Sequence, residues 1–202
     1  MNIIISKRIA SVLVASLALA SLGGCVGVVE DDSEVEASAQ ALSVKCAPEV
    51  PDVLAVPEGN RLAFAFDAVG QQVYTCQSSG GGYAWVVTPD ADLLKPNGEI
   101  AGAHYGGPTW EALDGSTVVG AKVSAYTADP SAVPWLLVRA IDHAGHGRMS
   151  SVTFIQRLDT TDGLAPATPC DASNLGSVVG SDYTATYYFF EASPGAANGP
   201  TC

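Results

Sequence analysis

The chain has 202 residues, with 21 acidic and 9 basic side chains and a net charge of −12. This length predicts one domain with a tail, and the acidic balance argues against a nucleic-acid-binding protein, because phosphate contacts need a surplus of lysine and arginine. With 48% hydrophobic and 15% charged residues, the chain is also too apolar to be disordered throughout.

The N-terminus has the features of an export signal, so we expect residues 1–24 to be removed. The basic pair Lys7-Arg8 precedes an apolar run of fourteen residues, Ile9–Leu22. This run is too short to span a bilayer as a helix but suits a signal peptide. It ends in Leu22-Gly23-Gly24-Cys25, which resembles the lipobox of bacterial lipoproteins. The resemblance implies that Cys25 is lipidated and anchors an exported protein to the outer membrane or cell surface.

The alternative is ordinary secretion, with cleavage near Ala18-Leu19-Ala20 and a soluble secreted or periplasmic product. The number of cysteines favours lipidation, because a lipidated Cys25 leaves an even set that suits two disulfides. That set consists of Cys46, Cys76, Cys170 and Cys202.

Residues 25–44 are predicted to form a flexible acidic tether. They show no sustained hydrophobic periodicity, and acidic side chains are concentrated in Glu30–Glu36. A solvated segment between anchor and folded body fits this composition, with binding of a basic partner as the alternative.

Residues 45–202 are predicted to form a single all-β domain, either a β-sandwich or a small β-barrel of about 8–10 mostly antiparallel strands. From Pro51 onward the hydrophobic pattern has period two, which is typical of strands. In the last strand, Tyr183, Ala185, Tyr187 and Phe189 share one face. The strands predicted by this pattern are Arg61–Asp67, Gln72–Cys76, Tyr83–Thr88, Thr117–Thr127, Trp135–Ile141, Ser151–Leu158 and Tyr183–Phe190.

Glycine and proline mark the predicted connections. Val69-Gly70 predicts a hairpin between the first two strands, and Asn97-Gly98 and Asp114-Gly115 are hairpin-turn dipeptides. A long loop is expected at 159–176. The strand Trp135–Ile141 is almost continuously apolar, which indicates that both of its faces are covered.

Seven segments of the body occur in an order and spacing found in a known family. They are Val56–Asn60, Val73–Cys76, His104–Glu111, Val133–Leu137, Phe154–Leu158, Ala165–Thr168 and Tyr183–Tyr187. Together they resemble the domain of unknown function 3455 family, which occurs in exported bacterial and fungal proteins. The resemblance covers about residues 52–190 and implies a fold without a reaction. No cofactor is expected, since no Gly-x-Gly-x-x-Gly lies between a strand and a helix.

The four cysteines of the body allow three disulfide pairings. We favour Cys76–Cys170 together with Cys46–Cys202. Cys76 and Cys170 match positions used by many members of the resembling family, while Cys46 and Cys202 flank the domain and would tie its ends together.

The segment His104–Glu111 carries the most chemical information. Tyr105 and Trp110 offer aromatic faces, and His104 and Glu111 flank a Gly-Gly-Pro turn. With His143 from a later loop, these side chains are the predicted binding site for a small polar ligand or a sugar. The alternative is that the aromatic residues are core and that the turn merely joins two strands.

The same residues are compatible with two further chemistries. A hydrolase or other enzyme would use His104, Glu111 and His143 as acid and base groups. A metal site would add His146 and Asp142, but histidines three apart on a loop are a weak signal, and we predict no metal.

The sequence therefore favours a non-catalytic exported lipoprotein whose β domain binds a small ligand, glycan or partner protein. An enzyme and a purely structural envelope protein are the alternatives.

Overall fold

The computed structural model describes residues 47–193, which form one closed sheet of eight antiparallel strands. Each strand pairs with the next along the chain, and the last pairs with the first. The predicted all-β antiparallel class is therefore confirmed, and the architecture is a barrel. The strands are β1 (Asn60–Ser79), β2 (Gly82–Leu94), β3 (Ile100–Tyr105), β4 (Thr109–Ala112), β5 (Thr117–Tyr126), β6 (Trp135–Ala144), β7 (Val152–Asp162) and β8 (Val178–Ala192).

The predictions for the two ends of the chain lie outside the described residues. They concern the signal peptide at 1–24, the tether at 25–44, the lipid site Cys25 and the Cys46–Cys202 bridge. Within residues 47–193, no helix has both the length and the apolar character needed to cross a membrane.

The hairpin predicted at Val69-Gly70 is wrong, because β1 continues through this point to Ser79. Gly70 pairs with Ala91 of β2 on one side and with β8 on the other. A Cβ atom on Gly70 would lie 2.2 Å from the carbonyl oxygen of Asp90. This glycine permits a close approach of two backbones inside the sheet and does not mark a turn.

Other connections agree with the sequence pattern. Asn97-Gly98 lies in the β2–β3 turn and Asp114-Gly115 in the β4–β5 turn, where the two glycines have φ values of 82° and 79°. The loop predicted from residue 159 begins later, because β7 extends to Asp162 past an irregularity in its pairing with β8.

Strand β6 is covered on both faces only in its first half, so the prediction made for Trp135–Ile141 holds in part, because Arg139 and Ile141 are exposed on the outer face. Val138 lies in the barrel interior, while Leu137 packs on the outside against Leu54 and Leu158. Leu54 belongs to a short 3₁₀ helix, Asp52–Leu54, which precedes the barrel.

Aromatic side chains fill one end of the barrel. Phe64 of β1 stacks on Phe189 of β8 with ring centroids 4.7 Å apart, and Phe66 packs against both. The β6–β7 loop closes this end, since Met149 is fully buried there and the Arg148 guanidinium lies 5.1 Å from the Phe64 ring. This half of the interior is a packed core.

A disulfide joins β1 to the β7–β8 loop near the other end of β1. The predicted Cys76–Cys170 bridge is present, with Cα atoms 5.4 Å apart. The same loop donates the Gly176 N–H to the Cys76 carbonyl, and Trp85 Nε1 of β2 donates to its Thr168 carbonyl, each at 2.9 Å. The loop is thus fastened to β2 by a hydrogen bond and to β1 by a disulfide, a bond typical of proteins outside the cytoplasm.

Candidate functional site: a cavity inside the barrel

The half of the barrel interior that the aromatic cluster leaves open contains a cavity of about 370 Å³. This volume lies in the range of small-molecule sites, which are mostly apolar with a few placed polar groups. Exposed residues, among them Val87 and Lys122, mark its mouth. The deeper wall includes Gln72, His104, Trp110, Val138, Arg157 and Tyr187.

The pairing of β6, β7 and β8 determines which side chains form one side of the cavity wall. Leu136 of β6 pairs with Arg157 of β7, and Arg157 pairs with Tyr187 of β8. Because paired residues point to the same face of a sheet, these side chains stand side by side on the inner surface. The result is a row in which an arginine is flanked by a leucine and a fully buried tyrosine.

Strand pairing also determines the opposite side. His104 of β3 and Trp110 of β4 are direct partners, so their side chains stand side by side on the inner surface. A Cβ atom on Gly120 of β5 would lie 2.9 Å from Trp110 Cζ3. Glycine at 120 therefore provides the space in which the indole sits.

His104 is a neutral, buried wall residue. Its Nδ1 lies 2.9 Å from the carbonyl oxygen of Thr109, and since a carbonyl only accepts, Nδ1 carries the proton and donates it. Burial lowers the pKa of His104 to about 3, because the charged form would lose its hydration. The Nε2 atom therefore keeps its lone pair at neutral pH.

Arg157 is a half-buried cation without a carboxylate partner. Its Nη2 and Nε donate to the Pro134 carbonyl oxygen at 2.7 and 3.2 Å. Among residues 47–193 the ion pairs are Arg61–Glu191 and Lys95–Glu99. The neutral carbonyl orients the guanidinium and leaves its positive charge uncompensated.

Two hydrogen-bond donors on wall residues also lack partners. Gln72 Nε2 and Trp110 Nε1 are buried, and neither makes a hydrogen bond of good geometry within the described part of the chain, although the Gln72 amide lies beside the Tyr183 hydroxyl. Nearby, the hydroxyl oxygens of Tyr183 and Tyr187 lie 3.4 Å apart, and burial raises the pKa of both phenols. Buried polar groups are normally paired, so a ligand acceptor that reached either donor would supply a partner that the protein does not.

The five residues predicted as a binding site lie in three separate places. His104 and Trp110 line the cavity, with their rings stacked. Tyr105 and Glu111 follow them directly along the chain and therefore face outward, where Tyr105 Oη donates to Glu111 Oε2 at 2.7 Å. His143 is exposed on β6, and its Nε2 donates to the Val152 carbonyl at 2.7 Å.

The structure does not bring His104, Glu111 and His143 together as an acid–base set. Each side chain has a separate partner, and His104 and Glu111 lie on opposite faces of the sheet. No group of three or more His, Cys, Asp or Glu side chains between residues 47 and 193 is arranged to hold a metal ion.

Sequence reasoning missed Arg157, Lys122 and Gln72 as site residues. One signal was present for Arg157, because a charged residue there occupies the same face as Ile155 in an otherwise alternating strand. Charged side chains are rarely buried, so a charged residue on the inward face of a predicted strand is a candidate site residue.

Residues 93–191, from the last two residues of β2 to the penultimate residue of β8, match the family model described as a protein of unknown function, DUF3455. No curated protein and no solved structure matches the chain. The family resemblance expected from the sequence is confirmed over this range, which holds every wall residue of the cavity named above except Gln72 and Val87. The part of the chain that forms β3 to β8 is thus a DUF3455 domain.

Proposed function

We propose that the barrel is a non-catalytic binding domain that holds a small, largely apolar molecule in its interior cavity. The single observation that carries this proposal is the cavity itself, about 370 Å³ of open space inside a closed sheet. An eight-stranded barrel is just wide enough either to be filled by its own side chains or to hold one small ligand. Here one half is filled and the other half is open.

The wall has the composition of a ligand site. Leu136, Val138 and Tyr187 offer apolar surface, and the polar groups are few. The mouth connects this wall to solvent, so a ligand can enter without opening the sheet. Well-packed interiors leave few voids larger than a water molecule, and an empty cavity of this size lowers the stability of the fold. Its presence therefore favours a role in binding.

The test uses three probes with one apolar body and different polar groups: 4-tert-butylbenzoate, 4-tert-butylbenzamide and 4-tert-butylbenzylamine. We expect at least one to bind in calorimetric titration and to raise the unfolding temperature, since a ligand that binds only the folded state stabilises it. Binding should be saturable, with one molecule per chain.

Two variants locate the binding. Val87 lines the mouth and is 45% exposed, while its neighbour Val86 faces outward and is 40% exposed. Val87→Trp should weaken probe binding at least tenfold, and Val86→Trp should leave it unchanged. Binding of none of the three probes, or equal binding by both variants, would contradict the proposed function.

We also propose that the domain is exported and anchored through a lipid on Cys25. The support is the signal-like N-terminus, which ends in Gly23-Gly24-Cys25, together with a disulfide of the kind formed outside the cytoplasm. Cys25→Ser should abolish acyl labelling and move the protein from the membrane fraction to the soluble fraction. Unchanged partitioning would refute the anchor.

A further inference from the structure

The charge on the cavity wall is opposite to the charge of the protein. The chain has 21 acidic and 9 basic residues, yet the charged side chains that line the cavity are Lys122 and Arg157. Within the described residues, no aspartate or glutamate contributes to this wall. An interior that holds only positive charge in an acidic protein favours a negatively charged ligand.

Arg157 supplies the strongest reason for an anion. A charge removed from water is costly unless an opposite charge or several hydrogen bonds compensate it. Arg157 is half-buried, and the Pro134 carbonyl that accepts from it is neutral. A ligand carboxylate next to the guanidinium would provide the missing counterion and could accept two parallel N–H groups.

The unpartnered hydrogen-bond donors on the wall also favour an anionic ligand. Gln72 Nε2 and Trp110 Nε1 are both donors, and an ionised carboxylate is a pure acceptor with room for about four hydrogen bonds. A ligand amine or guanidinium would bring more donors and more positive charge. The wall therefore favours an anion by its charge, and the donors of Gln72 and Trp110 favour an acceptor on the ligand, while His104 Nε2 is an acceptor on the same wall.

The number of positive charges on the cavity wall indicates that the ligand carries a single negative charge. Arg157 is the cation in the deeper wall, while Lys122 is exposed at the mouth. A phosphate monoester carries about −1.5 to −2 at neutral pH and would bring more charge than one half-buried guanidinium offsets. The remaining wall is apolar, which fits the hydrocarbon part of an organic acid.

Resting on the proposed function, we infer that the cavity selects a small carboxylic acid with an apolar body, its carboxylate bound by Arg157 and its body against Leu136, Val138 and Tyr187. Lys122 at the mouth attracts the acid during entry. The volume equals that of roughly a dozen water molecules at about 30 Å³ each, so the ligand is compact.

The test compares 4-tert-butylbenzoate with 4-tert-butylbenzamide, which share size and shape and differ in charge. We expect the unmodified protein to bind the benzoate at least tenfold more tightly. Arg157→Met should remove this preference while leaving the amide affinity within about threefold. Arg139→Met is the matched control, because Arg139 is exposed on β6, outside the cavity, and its loss removes the same net charge.

The outcomes separate this inference from the proposed function. Equal binding of the two probes, or tighter binding of the amide, overturns carboxylate selection while the binding domain stands. Loss of the preference in Arg139→Met as well would show that it follows net charge and would also overturn the role of Arg157. Failure of every probe overturns both proposals. If Arg157→Met does not fold, the comparison of the two probes in the unmodified protein still tests carboxylate selection. In that case Lys122→Met is expected to weaken binding of the benzoate more than binding of the amide.

Discussion

The imidazole of His104 lies nearly parallel to the indole of Trp110, with ring centroids 4.4 Å apart and planes 11° apart. The two residues are direct partners on β3 and β4, so the stack follows from the register of a four-residue strand. Tyr187 meets the edge of both rings from β8, at 5.0 and 5.5 Å. These three side chains connect opposite sides of the barrel below the cavity mouth.

The first prediction concerns the pH dependence of stability. The folded-state pKa of His104 is about 3, against an ordinary value of 6.5, so between these values the unfolded chain binds a proton that the folded chain does not. The stability that neutral His104 contributes is therefore full above pH 6.5. Below that pH the free energy of unfolding falls by about 1.4 kcal/mol per pH unit. Urea unfolding should give a free energy about 2 kcal/mol lower at pH 5.0 than at pH 7.5. His104→Asn should show a much smaller decline, and an unchanged decline would refute the assignment to His104.

The second prediction concerns the space beside Trp110. Gly120→Val should destabilise the barrel by about 1–3 kcal/mol and change Trp fluorescence, because the new side chain would collide with the indole and with Val138. Ala121→Val on the outer face is the control and should change stability by less than about 0.5 kcal/mol. Equal effects of both variants would show that Gly120 is not required for seating the indole.

The third prediction concerns the closed end of the barrel. Asp114 Oδ2 accepts the Arg148 N–H at 2.8 Å, and Oδ1 accepts the Ser116 N–H at 3.0 Å. The Ser116 hydroxyl, which also donates to Oδ1, together with these two N–H groups holds the pKa of Asp114 below its usual range, and the Arg148 bond ties the β6–β7 loop to the β4–β5 turn. Asp114→Ala should speed amide exchange at Met149, whose N–H donates to Ser116 Oγ, by about tenfold.

The matched control for the closed end is Asp129→Ala. Asp129 makes the same kind of contact, accepting the Ser131 N–H and hydroxyl, but in the β5–β6 loop. Exchange at Met149 should not change in this variant. If Asp114→Ala also leaves Met149 unaffected, then the carboxylate does not hold the loop.

The fourth prediction concerns the disulfide. Cys76 and Cys170 are 94 residues apart, and closing a loop of this length restricts the unfolded chain by about 4–5 kcal/mol on the entropy model. Replacing both cysteines by serine should lower the unfolding temperature while far-ultraviolet circular dichroism stays that of a β protein. An unchanged unfolding temperature would show that the hydrogen bonds of the β7–β8 loop suffice.

The sequence predicted the strands better than it predicted the site. The alternation in Tyr183–Phe190 separates the two faces of β8, because side-chain direction in a strand depends only on parity, and the structure shows that the face of Tyr183 and Tyr187 is the inward one. The sequence around Gly70 wrongly predicts a turn, because a glycine that permits close backbone approach has the same local pattern as a turn glycine. Its role depends on Ala91, which is distant in the sequence.

The cavity could not be predicted for a related reason. Whether an inward side chain is packed or lines open space depends on the barrel radius and on the sizes of partners across several strands. His104 and Trp110 were recognised from their local chemistry, whereas Arg157 acquires its importance from the absence of a nearby carboxylate in the described structure. Such a relationship exists only after the strands have paired.

The most direct test of ligand binding inside the barrel is a proton–nitrogen correlation spectrum of the indole groups. The chain has three tryptophans, and Trp110 lines the cavity with an unpartnered Nε1, whereas the Nε1 of Trp85 donates to the Thr168 carbonyl. Trp135 packs in the outer cluster around Leu54. Titration with 4-tert-butylbenzoate should shift the Trp110 indole resonance and leave the Trp85 and Trp135 resonances in place. A Trp110 resonance that does not move at saturating probe, or a shift confined to the other two, would contradict binding in the cavity.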